Sequence, residues 1–315
     1  MRNDASIHDN FIRNILSNKK MAAAYFKSYL PAAISRQLDF SSLQQLPDTY
    51  LSEELQKSMS DIVYACLRKG GKKAVKVCLL VEHKSFPDIY SPIQIGGYVF
   101  SALQKQAANK EPLSLVIPVL LYHGKGKWQY RTLADLFEET AEEWQQYIPN
   151  FEYVYNNLGV LNDEAIARLN NKFLAASFLA LKHGFEKEWL GNNAVNLLLL
   201  ASTGPKELQK GFIIYLYSRG DLKEEKVLNS LPEPIKKTVM STLDIYIEKG
   251  RKKGIEEGIE KGIEKGIEKG IEKKSREFIQ NLLTAGKFSV SEIAGFAGVT
   301  EFFVKKVRAS LKQKK

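Results

Sequence analysis

Three residues combine the side-chain types and the spacing needed for phosphodiester chemistry: Asp61, Glu82 and Lys84. Carboxylate oxygens bind hard divalent cations such as Mg2+. A cation held that way acidifies a water molecule and screens the phosphate. A neighbouring ammonium orients that water and stabilises the charge building on the phosphoryl oxygens. The expected reaction is hydrolysis that depends on Mg2+, with Mn2+ or another divalent cation as a substitute. An acid before a strand and Glu-x-Lys after one also occur by chance on solvated strand ends, so the elements carrying these residues decide between the two readings.

Two β-rich runs, Asp61–Leu67 and Ala74–Val81, flank the pair Gly70-Gly71, which is a hairpin pattern. A turn centred near Gly71–Lys72 lies equally far from Asp61 and Glu82. Strands paired about that centre bring the two acids side by side, and the two-residue period of a strand puts Lys84 on the face of Glu82. The run Val75 to Val81 reads as a central strand buried on both faces. Charges at the end of such a strand are costly unless they have a partner or a task.

The segments Met59-Ser60-Asp61-Ile62-Val63-Tyr64, Leu79-Leu80-Val81-Glu82-His83-Lys84-Ser85 and Val116-Ile117-Pro118-Val119-Leu120-Leu121-Tyr122-His123-Gly124 resemble the recombination-promoting nuclease (Rpn) family. That family is also described as transposase-like proteins of the PD-(D/E)xK nuclease superfamily. The resemblance runs from about His8 into the Gly-Ile-Glu-Lys repeats. It implies an α/β fold with a restriction-endonuclease-like core around a mixed central sheet. It also implies metal-dependent DNA cleavage, a role in recombination or mobile-element biology, and a conceivable part in phage defence. The superfamily motif falls on Asp61, Glu82 and Lys84, with the backbone carbonyl of His83 as a further metal ligand by analogy. Ser60 stands where the motif is named for proline. Lys84 stands where many family members carry glutamine, which brings this chain closer to the superfamily pattern. Gln94 and Tyr98, one helical turn apart, resemble the Gln-x-x-x-Tyr motif of RecB-like members, which contacts substrate or braces the fold. Gln94 as a packing residue and Tyr98 as core remain open.

The chain has 315 residues, 44% hydrophobic and 26% charged, ordinary for a soluble protein of more than one domain. No apolar run approaches the roughly 18 residues of a membrane span, and the N-terminus lacks the apolar core of a signal peptide. The two cysteines suggest a reducing compartment. In the hairpin register Cys66 and Cys78 fall on opposite faces. The expectation is a cytoplasmic protein without a membrane partner. Of the net charge of +10, residues 250–315 contribute +7, from 16 basic and 9 acidic residues. Such a skew suits a polyanion such as DNA, or simply a solvated tail.

In chain order, Ile7 to Leu30 reads as one amphipathic helix stopped by Pro31. Asp9, near its start, reads as an N-cap or surface acid, or less readily as a third site carboxylate. Leu38 to Pro47 reads as a turn-rich connection, and Tyr50–Leu51 as the start of the first strand. Ile93 to Lys110 reads as a helix containing Gly96 and Gly97, which cost about 1 kcal/mol each against alanine and suggest close backbone approach. Leu113 to Tyr122 and Phe151 to Tyr155 read as strands. Between them, the loop His123 to Trp128 holds Lys125 and Lys127 beside an aromatic, a composition suited to phosphate contact or to a plain surface turn. Its glycine spacing is not that of a dinucleotide fingerprint.

The expected division is a nuclease-like core over 1–160, a helical domain over 161–249, a repeat over 250–274 and a basic helical module over 275–315. The repeat is Gly-Ile-Glu-Glu followed by four Gly-Ile-Glu-Lys units. It reads as a helical spacer or as a segment for homo-oligomer formation. In the last module, helix, glycine turn and a helix bearing Lys305, Lys306 and Arg308 resemble a helix-turn-helix DNA reader. The rival to the nuclease is a DNA-binding or assembly protein that keeps the fold without activity. Asp61 and Glu82 carboxylates within reach of one cation, with Lys84 facing them, favour the enzyme, whereas splayed or buried-and-paired groups favour the rival.

Overall fold

The computed structural model describes residues 2–47, 62–70, 76–137 and 141–312; the side chains of residues 2–6 and 76–83, and those of Lys253, Glu257 and Lys312, are outside that description. The chain forms two compact units, Met1–Leu243 and Asp244–Lys315.

The first unit is built on a five-stranded sheet in the order β1 (Leu38–Gln45), β2 (Ile62–Arg68), β3 (Lys76–Lys84), β4 (Leu115–Tyr122) and β5 (Val154–Asn157). The pairs β1–β2 and β2–β3 are antiparallel, and β3–β4 and β4–β5 are parallel, so the sheet is mixed. The β2–β3 ladder runs from Ile62↔Val81 to Leu67↔Lys76. It keeps the register in which 61 and 82 are numerical partners, although Asp61 itself lies outside the described residues. The same ladder sets Cys66 opposite Val77 and Cys78 opposite Ala65, one step out of register with each other. Cys66 is buried and unbridged.

Alternation along the strands separates two apolar layers. Ile62, Tyr64 and Cys66 of β2 and Val119 and Leu121 of β4 join the main core. Val63 and Val116 turn the other way, onto Tyr98 and Ala102 of the crossover helix, and Leu120 meets Ile95 of that helix. Both faces are covered, which is why β4 is almost wholly apolar. The main core is shared by α1 (Arg2–Leu16) and α2 (Lys19–Tyr29) with helices that follow residue 161, so sheet and helices bury one continuous interior.

Three sequence expectations are corrected. The single helix over Ile7–Leu30 is two helices, because the Asn18 side chain accepts from the N–H groups of Lys20 and Met21 and starts α2 afresh. α1 begins at Arg2, so Asp9 lies inside it rather than at its cap. The supposed connection Leu38–Pro47 contains β1. Its turn-forming residues build an irregularity between Asp39 and Gln44 instead of a loop. Asp39 accepts from the Ser41 N–H and hydroxyl, and the Ser42 hydroxyl accepts the Leu67 N–H at 2.8 Å, replacing a ladder bond. Leu38 and Leu43 are buried as strand residues should be. The first strand expected at Tyr50–Leu51 lies outside the described residues.

After a four-residue helix, α3 (Ala32–Ser35), the crossover helix is α4 (Ser91–Ala108), and a second short helix, α5 (Glu142–Gln145), precedes β5. Then come α6 (Asp163–Ala167), α7 (Lys172–Lys182), α8 (Lys187–Ala201), α9 (Lys206–Arg219) and α10 (Glu224–Asn229). The Gly-Ile-Glu-Lys repeat lies inside a continuous helix, α11 (Glu233–Ala285), with Ile255, Ile259, Ile263, Ile267 and Ile271 exposed. Two further helices, α12 (Val290–Ala297) and α13 (Glu301–Lys312), close a small core of Ile279, Ile293, Val304 and Val307. A reciprocal Ser289–Glu292 cap opens α12, and Gly298 ends it at φ 62°, a left-handed position that glycine occupies without strain. Among the described residues no helix is long and apolar enough to cross a membrane.

Candidate active site

The carboxyl-terminal ends of β3 and β4 lie side by side, with Glu82 paired to Leu120, His83 to Leu121 and Lys84 to Tyr122. Loops leaving this end of a parallel pair are where α/β proteins gather functional groups. Lys84 is the last residue of β3 and its side chain is largely buried. Its Nζ donates to Gln94 Oε1 at 2.7 Å, and more weakly to Asp88 Oδ2 at 3.4 Å. Gln94 stands in the first turns of α4, so the helix that follows the strand fixes the ammonium. Gln94, expected from the sequence to contact substrate, brace the fold or pack, is thus hydrogen-bonded to Lys84. Tyr98, one turn on, is fully buried against Val63, Ala102 and Val116, and braces α4 on the sheet.

Gly96 and Gly97 behave differently from each other. A Cβ on Gly96 would lie 2.9 Å from the Phe151 ring, whereas one on Gly97 would meet nothing within 4 Å. The close approach expected of this pair is therefore real for Gly96 alone, and its neighbour is a side chain.

The two strand ends are tied to each other. The His123 N–H donates to the Lys84 carbonyl at 3.2 Å, and the His123 Nε2 and Ser85 Oγ are 3.2 Å apart. A Cβ on Gly124 would fall 2.0 Å from the Ser85 carbonyl oxygen, so only glycine lets the β4 loop lie against the β3 loop. Lys125 and Lys127 are exposed in that loop, which Tyr122 closes by donating from its hydroxyl to the Gly126 carbonyl at 2.7 Å.

His8 of α1 comes to the same place. It is fully buried, its ring centroid 5.3 Å from that of His123 and its Nδ1 2.8 Å from Tyr215 Oη of α9. Burial pushes the Tyr215 hydroxyl far above its ordinary pKa, with Arg219 opposing weakly, so it stays protonated. Phe185 packs against both histidines, stacked on His123. Sequence reading did not anticipate this group. The signal was only that two of the chain's four histidines sit at the edges of apolar segments.

Asp61 and the side chain of Glu82 lie outside the described residues. Among the described residues no group of three or more His, Cys, Asp or Glu side chains could hold a metal ion. On α13, Lys305, Lys306 and Arg308 are exposed, with Lys305 in an ion pair with Glu301 at 3.4 Å.

The sequence profile of the family described as "Putative transposase, YhgA-like" matches residues 6–209. The recombination-promoting nuclease RpnD of Escherichia coli O157:H7 is 23% identical over 240 residues, covering 70% of this chain and 91% of that protein. No solved structure matches.

Proposed function

This chain belongs to the YhgA-like transposase family, whose relatives include a recombination-promoting nuclease, and from that premise we propose that it is a metal-dependent DNA endonuclease on a restriction-endonuclease-like core. The observation that carries the reading is the fixed ammonium at the end of β3: Lys84 is held by Gln94, two residues past Glu82, on a ladder whose register pairs Ile62 with Val81. Asp61, Glu82 and the His83 carbonyl would hold Mg2+. Their hard oxygen donors suit that ion better than a softer transition metal. When bound, it supplies an acidified water and neutralises phosphate charge.

The chain's own groups do the rest. Lys84 orients the attacking water and stabilises the charge that develops on the phosphoryl oxygens. Gln94 keeps the ammonium from swinging away, so no reorganisation is needed as that charge develops. Lys125 and Lys127 next to the site, and Lys305, Lys306 and Arg308 in the second unit, supply phosphate contacts that set affinity without reading sequence. A role in recombination fits the name of the recombination-promoting relative, and a part in phage defence is proposed beyond it.

The test is plasmid cleavage by purified protein with Mg2+ against the same reaction in EDTA. Nicking or linearisation that appears only with the metal supports the enzyme. DNA binding with no cleavage under any divalent cation would leave an idle DNA-binding protein on the same fold.

A further inference from the structure

Immediately after Lys84 the chain exposes an apolar ridge. Phe86 and Tyr90 are each 61% exposed, and Ile89 and Ile93 half or more. Large aromatic side chains facing water carry no burial benefit, so a contiguous run of them marks a contact surface. This one is held in place. Asp88 accepts the Tyr90 N–H at 3.0 Å through one carboxylate oxygen and Lys84 Nζ at 3.4 Å through the other. The ring of Phe86 lies 6.4 Å from that of Phe185. The conformation of Phe86–Tyr90 is therefore coupled to the lysine of the proposed catalytic set.

The ridge also touches the basic loop. A Cβ on Gly126 would lie 2.8 Å from Pro87 Cγ, so the loop carrying Lys125 and Lys127 packs against the segment carrying Phe86 and Tyr90. Both lysines are exposed. Exposed rings beside a loop of exposed ammonium groups are a combination that binds single-stranded nucleic acid: the cations track phosphates while unstacked bases lie on the rings. The lysines on the adjoining loop favour a polyanion as the occupant of this surface.

We infer that Phe86 and Tyr90 form a base-stacking platform, with Lys125 and Lys127 as its phosphate contacts, and that the site takes single-stranded or locally unpaired DNA. This rests on the nuclease reading and names the substrate state for it. Bases in an intact duplex are stacked on one another and have no face to offer the rings, so the platform favours a strand already opened or one the protein opens on binding.

The test uses the full-length protein in EDTA, so that binding is read without cleavage. The probe is a short single strand carrying one 2-aminopurine, compared with the same strand annealed to its complement. Phe86→Leu combined with Tyr90→Leu keeps the apolar surface and removes the rings. The expected result is single-strand binding weakened about tenfold or more, loss of the 2-aminopurine fluorescence change, and unaltered duplex binding. Phe86→Tyr with Tyr90→Phe should behave as the parent protein. Equal single-strand affinity in the leucine variant overturns the inference. So does an unchanged 2-aminopurine signal when the parent protein binds, which decides the matter even if the leucine variant misfolds. A fall in particle mass with unaltered DNA affinity would assign the ridge to contact between copies of the chain, and also overturns it. Ring-dependent binding without any Mg2+-dependent cleavage would keep the platform and remove the nuclease. Cleavage with ring-independent binding would do the reverse.

Discussion

The two ends of the central sheet are unlike. At the carboxyl-terminal end of β3 and β4, short polar contacts join Lys84, Gln94, Asp88, Ser85 and His123, and glycine at 124 permits backbone contact. At the other end, Leu38, Leu115, Val116, Ile117, Val99 and Leu103 line an apolar cavity of about 1110 Å3 together with Tyr29, Tyr130, Phe151, Tyr153 and Tyr155. Its lining is mostly apolar and aromatic, with Gln37, Arg68, Glu152 and Asn156 as the polar side chains besides the tyrosine hydroxyls. An apolar cavity of this kind is the default place to look for a ligand, whereas the proposed chemistry is put at the opposite end because fixed polar groups converge there. The cavity has a plain structural origin. β5 pairs only with Val119–Tyr122 of β4, so the first half of β4 has no strand beside it on that side.

The strongest way to break this contrast is to remove the carboxylates. Asp61→Ala and Glu82→Ala should each lower metal-dependent cleavage about 10³-fold or more, since loss of a ligand forfeits several kcal/mol of charge stabilisation. Measured nicking rates near those of the parent, in protein shown folded by circular dichroism, would reject the site. Substitutions that reshape the apolar cavity should leave cleavage unchanged.

Next in size is Lys84→Gln. Glutamine holds water by hydrogen bonds but carries no charge, so the rate should fall about 10²-fold while metal affinity stays close to that of the parent. Single-turnover kinetics at saturating metal, with metal titration alongside, separate the two. A collapse of affinity with unchanged chemistry would mean that Lys84 serves the metal rather than the phosphoryl group.

A matched pair of small changes compares the two ends directly. Gly124→Ala forces a methyl group onto the Ser85 carbonyl and should cost about 1–3 kcal/mol of stability, together with activity. Leu115→Ala, at the rim of the apolar cavity where Leu115 is exposed, should stay within about 0.5 kcal/mol. Denaturant unfolding of both variants reads the difference, and equal costs would show that the close contact at Gly124 relaxes freely.

The smallest effect concerns pH. Beyond β5, Asp163 accepts from Lys182 Nζ at 2.6 Å and lies 3.0 Å from His183 Nε2, while His183 stacks on Trp189. Burial alone would raise the Asp163 pKa, but the hydrogen bonds from Lys182 and His183 outweigh it and hold the carboxyl below its usual range. A depressed folded pKa stabilises the fold above the unfolded value of about 3.9, and that contribution is lost as pH falls through the folded value. Asp163→Asn should therefore flatten the acid limb of stability below about pH 4. An acid unfolding curve parallel to that of the parent would show that this carboxylate contributes nothing to it.

The hairpin was legible from the sequence because its determinants are local. The Gly-Gly pair in the sequence suggests the pairing centre, and the observed ladder from Ile62↔Val81 to Leu67↔Lys76 keeps that register. The same local rules found α4 and placed Gln94 within a turn of its start. They failed where turn-forming residues were used inside a strand. Asp39, Ser41 and Ser42 read as a loop but build the irregularity of β1, because Leu38 and Leu43 gain more by burial than the loop would keep. They also failed where partners are remote. His8 meets Tyr215 across 207 positions, and Asp163 meets His183 only because α6 and α7 pack on each other. By itself the sequence determined the hairpin register, since the turn centre and the two-residue period of a strand together specify the pairing. Tertiary structure alone decided that Lys84 is held by Gln94 and that two histidines converge behind the strand ends. Those contacts depend on how helices pack on the sheet, and no short-range periodicity encodes that.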